Sequence, residues 1–363
     1  MIRKMKVFEI QALKRISPSQ YYSALNCPYK IVLASSLAYE SLLPMNANAY
    51  FGSVIHKMLE LISKRIVFDE TSFTEHWTHL ISNKEDELRK MGLSGIIPLK
   101  YSVDAFALKK NQLKGILRRR LDRFIPDKRP TKIYYQPEKR LENSDKTIGG
   151  IADLIIENDS EISILDFKTG KIYNDAIDES GNVERVIKAE YEFQLKLYAH
   201  LYFLMKGIYP TALFLVTLIN DFVELPFEKQ DCERIYLEAL DFLSRTNQFI
   251  QEEAFESIAK PSELNCKYCA YRPACKFYTE WLRSNSEVTN DLSGLLQNVA
   301  AFNNETMGLQ LTVNNAQVLV NGFTSGLKKD FDRLVGKNIT IYNIRKIKHS
   351  LNASATNYTV TYE

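Results

Sequence analysis

Apolar positions along the chain change their spacing several times, and each change marks an element. Gly150-Ile151-Ala152-Asp153-Leu154-Ile155-Ile156 and Ile162-Ser163-Ile164-Leu165-Asp166-Phe167 are short runs rich in Ile and Leu, separated by the polar tetrad Asn158-Asp159-Ser160-Glu161. That pattern predicts two strands joined by a tight turn. Ile133 to Leu141 alternates as a strand leading into this hairpin. Upstream, Ile55, Met58, Leu59 and Ile62 follow helical spacing and predict a helix over 48–66. Further helices are expected over about 73–91 and 103–124, and Ser17-Pro18-Ser19 starts one that carries Cys27-Pro28. Downstream, residues 171–187 are polar, contain Gly181-Asn182 and read as a mobile loop. A strongly amphipathic helix follows over 189–205, then a strand over 212–219, a second extended run over 221–227, and a helix over 231–251. From about Asn290 the chain turns β-rich, with short runs at 308–313, 317–320, 337–342 and 358–362. Several short strands in so small a span suggest a barrel, of which the OB-fold is one form. A boundary near 287 divides the chain into an α/β domain, 1–286, and a small β-rich domain, 287–363.

Composition narrows the class. A chain of 363 residues with 45% hydrophobic and 25% charged residues has the make-up of a soluble globular protein. No apolar run reaches the roughly 18 residues of a membrane span, and the N-terminus lacks the apolar stretch of a secretion signal. A cytoplasmic location is expected, without a membrane partner, so a secreted disulfide framework does not explain the five cysteines. The net charge of +3 means that any nucleic-acid surface must come from local clustering. One cluster is Lys109, Lys110, Lys114, Arg118, Arg119, Arg120, Arg123, Lys128, Arg129 and Lys132. A solvated face is its plainest explanation; a phosphate-contact surface is the other.

The hairpin carries the chemistry. A turn centred on Asp159-Ser160 puts Asp153 opposite Asp166, where Cβ atoms stand roughly 4.5–5.5 Å apart. Alternation adds Lys168 to that face and turns Ala152, Leu154, Leu165 and Phe167 the other way. Two carboxylates forced together in an apolar sheet need a cation or a shared proton, and hard oxygen donors suit magnesium or manganese. Gln194 and Tyr198, four apart on one helix, share a face, with Tyr191 and Tyr202 beside them as core candidates. His56 stands on another helix. Separately, Cys266-x-x-Cys269-x5-Cys275 has metal-binding spacing, with Cys27 far upstream as the natural fourth ligand, while Cys232 reads as an ordinary buried thiol. Spacing alone leaves zinc and iron–sulfur open.

Taken in order, Gly52-x-x-x-His56, Gly150-x-x-Asp153, Asp166-Phe167-Lys168 and Gln194-x-x-x-Tyr198 resemble the PD-(D/E)XK nuclease superfamily, in particular its RecB-like branch, over roughly residues 17–280. The resemblance implies a restriction-endonuclease-like core with flanking helices. It implies that His56, Asp153, Asp166 and the main-chain carbonyl of Phe167 hold Mg2+ or Mn2+. Lys168 would be the catalytic cation, with Gln194 and Tyr198 as auxiliary catalytic residues. One upstream cysteine and three downstream are also the order in AddB-type and CRISPR-associated relatives. That implies a [4Fe-4S] cluster on Cys27, Cys266, Cys269 and Cys275, stapling the two segments together, with zinc as the alternative.

The expected function is a metal-dependent deoxyribonuclease, exonuclease rather than endonuclease, acting on single-stranded or end-bearing DNA in repair, recombination or defence. A non-catalytic DNA-binding module and a zinc-stabilised scaffold are the competing readings. The chain has no Gly-x4-Gly-Lys-Ser/Thr loop, so unwinding would need a separate helicase. In the β-rich segment, Lys328, Lys329, Arg333, Arg345, Lys346 and Lys348 with Phe331 and Tyr342 suit a stacking and phosphate-binding surface. A capping or partner-docking role fits equally.

Overall fold

The computed structural model describes residues 1–119, 133–177, 183–219, 221–347 and 352–363. At its centre lies a five-stranded sheet: Tyr134–Glu142, Gly149–Glu157, Ile162–Lys168, Ala212–Thr217 and Phe222–Glu224, in that spatial order. Only Ile162–Lys168 and Ala212–Thr217 run parallel. A parallel pair needs a crossover, which the helix Ala189–Lys206 supplies. Ile162–Lys168 sits mid-sheet with both faces covered, so apolar residues fall on both of its faces, and the polar Ser163 and Asp166 are buried among them.

Helices cover both faces and divide the core. Leu154, Ile156, Leu165, Phe167 and Val216 pack toward Ala47–Ser63, Glu70–Lys90 and Phe106–Arg119. Ile155, Ile164, Leu213 and Leu215 pack toward Pro18–Asn26, Pro28–Ser36, Ala189–Lys206 and Lys229–Gln251. Ala152, expected beside Leu154, joins this second group instead.

Some elements differ from the sequence expectation. The first helix does not carry Cys27: it ends at Asn26, and Cys27 is extended at φ −157°, ψ 90° before a new helix opens at Pro28. Proline disfavours helical geometry in the residue before it, which breaks the run there. The expected mobile loop contains a pair of antiparallel strands, Tyr173–Ile177 and Val183–Ile187; Gly181-Asn182 lies outside the described residues. Helix Ala189–Lys206 is buried nearly all round rather than amphipathic, with every residue from Gln194 to Tyr202 out of solvent. Its buried Lys196 pairs with Glu192 at 2.7 Å, and His200 shares a 2.8 Å hydrogen bond with Tyr209.

The basic run is partly committed to packing. Lys110 lies over the Trp77 ring, Lys114 over Phe73, and Arg118 pairs with Glu70. Arg120, Arg123, Lys128, Arg129 and Lys132 lie outside the described residues.

The C-terminal strands form an eight-stranded sheet. Leu292–Ala301, Thr306–Val313 and Ala316–Thr324 make an antiparallel meander, and Asn338–Tyr342 returns beside the first of them after the helix Lys328–Asp332. The last segment joins both sides. Ala353–Ser354 runs parallel to Ala316–Thr324, and Val360–Tyr362 antiparallel to Asn338–Tyr342. The sheet thereby curls toward a small barrel around Leu309, Leu311, Val320, Phe331 and Ile341. Residues 1–3 belong to it too: Ile2 and Arg3 add a parallel strand to Thr361 and Tyr362. Phe331 and Tyr342 are not a stacking surface, because both are buried. Lys328 pairs with Asp332 and Arg333 with Asp330, while Lys348 lies outside the described residues.

Candidate active site

The turn at Asn158 sets the geometry of the site. Asn158 N–H donates to the Glu161 carbonyl at 2.9 Å, and Asn158 Oδ1 accepts from the Ser160 and Glu161 amides at 3.0 and 2.7 Å. This closes the turn as an Asx-type bend and places Leu154 opposite Leu165. The ladder stops there, one step short of Asp153 and Asp166. On its other side the Asp153 strand pairs with Pro137 and Lys139 but skips Glu138, whose φ is +53°. Asp153 therefore sits where the main-chain pairing is open on both flanks. Its side chain fills one gap: Oδ2 accepts the Phe167 N–H at 2.7 Å.

Asp166 is 4% exposed, and its Oδ2 is buried without a hydrogen-bond partner among the described residues. Gln194 Nε2 donates to its Oδ1 at 2.9 Å, and Lys168 Nζ stands 2.5 Å from its Oδ2. Lys168 also donates to Gln194 Oε1 at 3.1 Å and lies 4.3 Å from the centre of the Tyr191 ring. One glutamine thus holds a carboxylate and an ammonium in fixed relation, while an aromatic face backs the cation. Tyr198 donates to the Ile151 carbonyl at 2.7 Å and fixes the strand just before Asp153. Gly150 makes room for it: a Cβ there would stand 2.8 Å from Tyr198 Oη and 3.0 Å from Pro18 Cδ. Helix Ala47–Ser63, capped by Asn46, brings His56 Nδ1 to 3.9 Å from Asp153 Oδ2.

Electrostatics mark the site as short of positive charge. Burial, then the Asp166 carboxylate, pushes Asp153 up to about 7. Burial lowers the His56 pKa, leaving the imidazole neutral and able to ligate. Glu138, skipped by the ladder, adds to the pressure on Asp153, and its own pKa is raised by burial and by Glu60. Sequence reasoning missed Glu138, because its place beside Asp153 depends on how a separate strand registers against the hairpin. It also left Tyr191 as a core candidate, whereas the ring seats Lys168. Tyr202 does belong to the core, bonded to Glu157 at 2.6 Å.

The cysteines gather elsewhere. Cys266, Cys269 and Cys275 each lie within electrostatic reach of Cys27, and burial pushes Cys266 up to about 11 and Cys275 up to about 12. The Lys260 amide points at Cys27 Sγ at 3.5 Å and the Tyr278 amide at Cys275 Sγ at 3.4 Å. Cys232 is buried in the helix Lys229–Gln251, apart from this set. Among the described residues, no three His, Cys, Asp or Glu side chains stand at ion-holding geometry. The donor chemistry nonetheless fits: two carboxylates and a neutral imidazole at one place, and soft thiols unsettled as lone thiolates at the other.

Comparison with known proteins bears on the family. A family model described as the PD-(D/E)XK nuclease superfamily matches residues 15–276. No curated protein matches the chain. A solved structure described as "Crystal structure of SSO0001" aligns over 74% of this chain and 89% of its own, at 13% identity and a TM-score of 0.28, too low to argue from.

Proposed function

Because the chain belongs to the PD-(D/E)XK nuclease superfamily, we propose that it hydrolyses DNA phosphodiester bonds at Asp153, Asp166 and Lys168. The observation that carries the reading is geometric: Asp153 accepts the Phe167 N–H at 2.7 Å with His56 Nδ1 3.9 Å away, beside Asp166 held by Lys168 and Gln194.

His56, Asp153, Asp166 and the Phe167 carbonyl would hold Mg2+ or Mn2+. That ion supplies charge neutralisation at the phosphate and a water made nucleophilic near neutral pH. The chain's own groups do the rest. Gln194 keeps Asp166 and Lys168 in register. Lys168 places a fixed positive charge where negative charge develops. Tyr198 holds the strand bearing Asp153. The substrate is single-stranded or end-bearing DNA, cut exonucleolytically in repair, recombination or defence, with any unwinding left to a separate helicase. The nuclease domain runs to residue 286, and the barrel takes residues 287–363. Cys27, Cys266, Cys269 and Cys275 hold a [4Fe-4S] cluster, with zinc as the alternative. Among the described residues no helix is long and apolar enough to cross a membrane.

The test is incubation of purified protein with end-labelled linear DNA and with circular DNA in manganese, beside Asp166→Ala. Cleavage of linear DNA by the native protein alone supports the proposal. Absence of native cleavage leaves the non-catalytic DNA-binding reading.

A further inference from the structure

A cavity of about 790 Å³ opens where three parts of the chain meet. Asn46 and Ala49 line it from the helix that carries His56, Lys267 and Tyr268 from the cysteine segment, and Arg345 and Lys346 from the edge of the barrel. Cations outnumber acids on its walls, where Glu263 and Asp291 are the carboxylates. Asp291 is already committed, accepting from Arg272 at 2.6 and 3.0 Å and from Tyr278 at 2.5 Å. Lys346 Nζ is sequestered from solvent and has no hydrogen-bond partner among the described residues. Asp291 and Glu287 act on it only through space. An unpartnered buried ammonium is costly unless an anion answers it. Tyr268, 77% exposed, offers an aromatic face with the Lys267 ammonium 5.6 Å from its ring centre.

The cavity is aligned with the active site. Ala49 and His56 are seven residues apart in one helix and so share a face, about 10 Å apart along the axis. That is on the order of three nucleotide steps at duplex rise.

We propose that this cavity is a second subsite for the DNA strand, its phosphate answered by Lys346 and Arg345 and a base stacked on Tyr268. The proposal rests on the nuclease reading for the identity of the strand, and reaches beyond it in assigning the barrel edge and the cysteine segment a joint role in holding DNA.

Fluorescence anisotropy of a labelled 20-residue oligothymidylate, without added divalent metal, tests it on the full-length protein. Tyr268→Ala and Lys346→Gln should each weaken binding about tenfold, and Lys346→Gln should also reduce the salt slope by about 0.7. Tyr268 lies on the surface, so its variant keeps the test valid if the lysine variant folds poorly. Affinities of both variants within twofold of the native protein would overturn the subsite, as would no binding by the native protein. Displacement of the oligonucleotide by thymidine monophosphate at equal concentration would also overturn it, showing a free-nucleotide site. Cleft-dependent binding without native cleavage defeats the nuclease reading and leaves this one standing.

Discussion

Gln194 donates to Asp166 Oδ1 at 2.9 Å in a setting with almost no solvent. The same side chain accepts from Lys168, so truncating it leaves the Asp166–Lys168 pair without the group that orients it. Gln194→Ala should lower the cleavage rate by about 10–100-fold, the usual loss for a group that orients a metal ligand. Part of the loss should return at high manganese concentration. A manganese titration of initial rates checks this; an unchanged rate would remove Gln194 from the machinery.

Asp153 makes stability depend on pH. Its folded pKa, about 7, lies above the ordinary value of 3.8. Its contribution is therefore fully present below about pH 4 and lost as pH rises through 7. In chelator, the melting temperature of the native protein should fall across that window relative to Asp153→Asn, and added manganese should restore it. Parallel melting curves of the two proteins from pH 4 to 8 would contradict the assignment.

Gly150 is required by Tyr198. Gly150→Ala should destabilise the protein by about 1–3 kcal/mol, because its Cβ meets Tyr198 Oη and the Pro18 ring. Tyr198→Phe in the same chain should recover part of that cost by removing the hydroxyl, a coupling that urea unfolding of the double-mutant cycle measures.

Arg272 ties the cysteine segment to the barrel. It contacts the Cys269 carbonyl, Asp291 and Asn343, and is 5% exposed. Arg272→Ala should cost about 3–5 kcal/mol, because Asp291 is left buried without its partner. Arg272→Met paired with Asp291→Leu should cost less than the single change. Denaturant midpoints decide between these outcomes.

Cys27→Ala tests the staple. If the four thiols share a cluster, the native protein is brown and the variant colourless, less thermostable and weakly active. A variant that keeps the visible absorbance would remove Cys27 from the ligand set, and a colourless native protein containing zinc would select the alternative metal.

The hairpin was legible from sequence because its causes are local. Asn158 closes the turn through its own side chain and sets the register as far as Leu154 opposite Leu165; the expected direct pairing of Asp153 with Asp166 does not form, because the ladder ends there. Helix positions bearing His56, Gln194 and Tyr198 followed from spacing for the same reason. Cys27 was misplaced by reading through a proline whose effect on its neighbour is equally local, so that signal was present and passed over.

Other features depend on residues distant in the chain. The opening of the ladder around Asp153 depends on Pro137 and a left-handed Glu138 in another strand. The burial of the whole helix Ala189–Lys206 arises because further helices pack on the side away from the sheet, and no periodicity within the helix records them. Ile2–Arg3 becomes a strand only because Val360–Tyr362 presents an open edge to it. The sequence by itself determined which residues carry charge and which local turn aligns them. Only the tertiary structure decided what surrounds them, because long-range pairing and two-sided burial are set by partners that no local window contains.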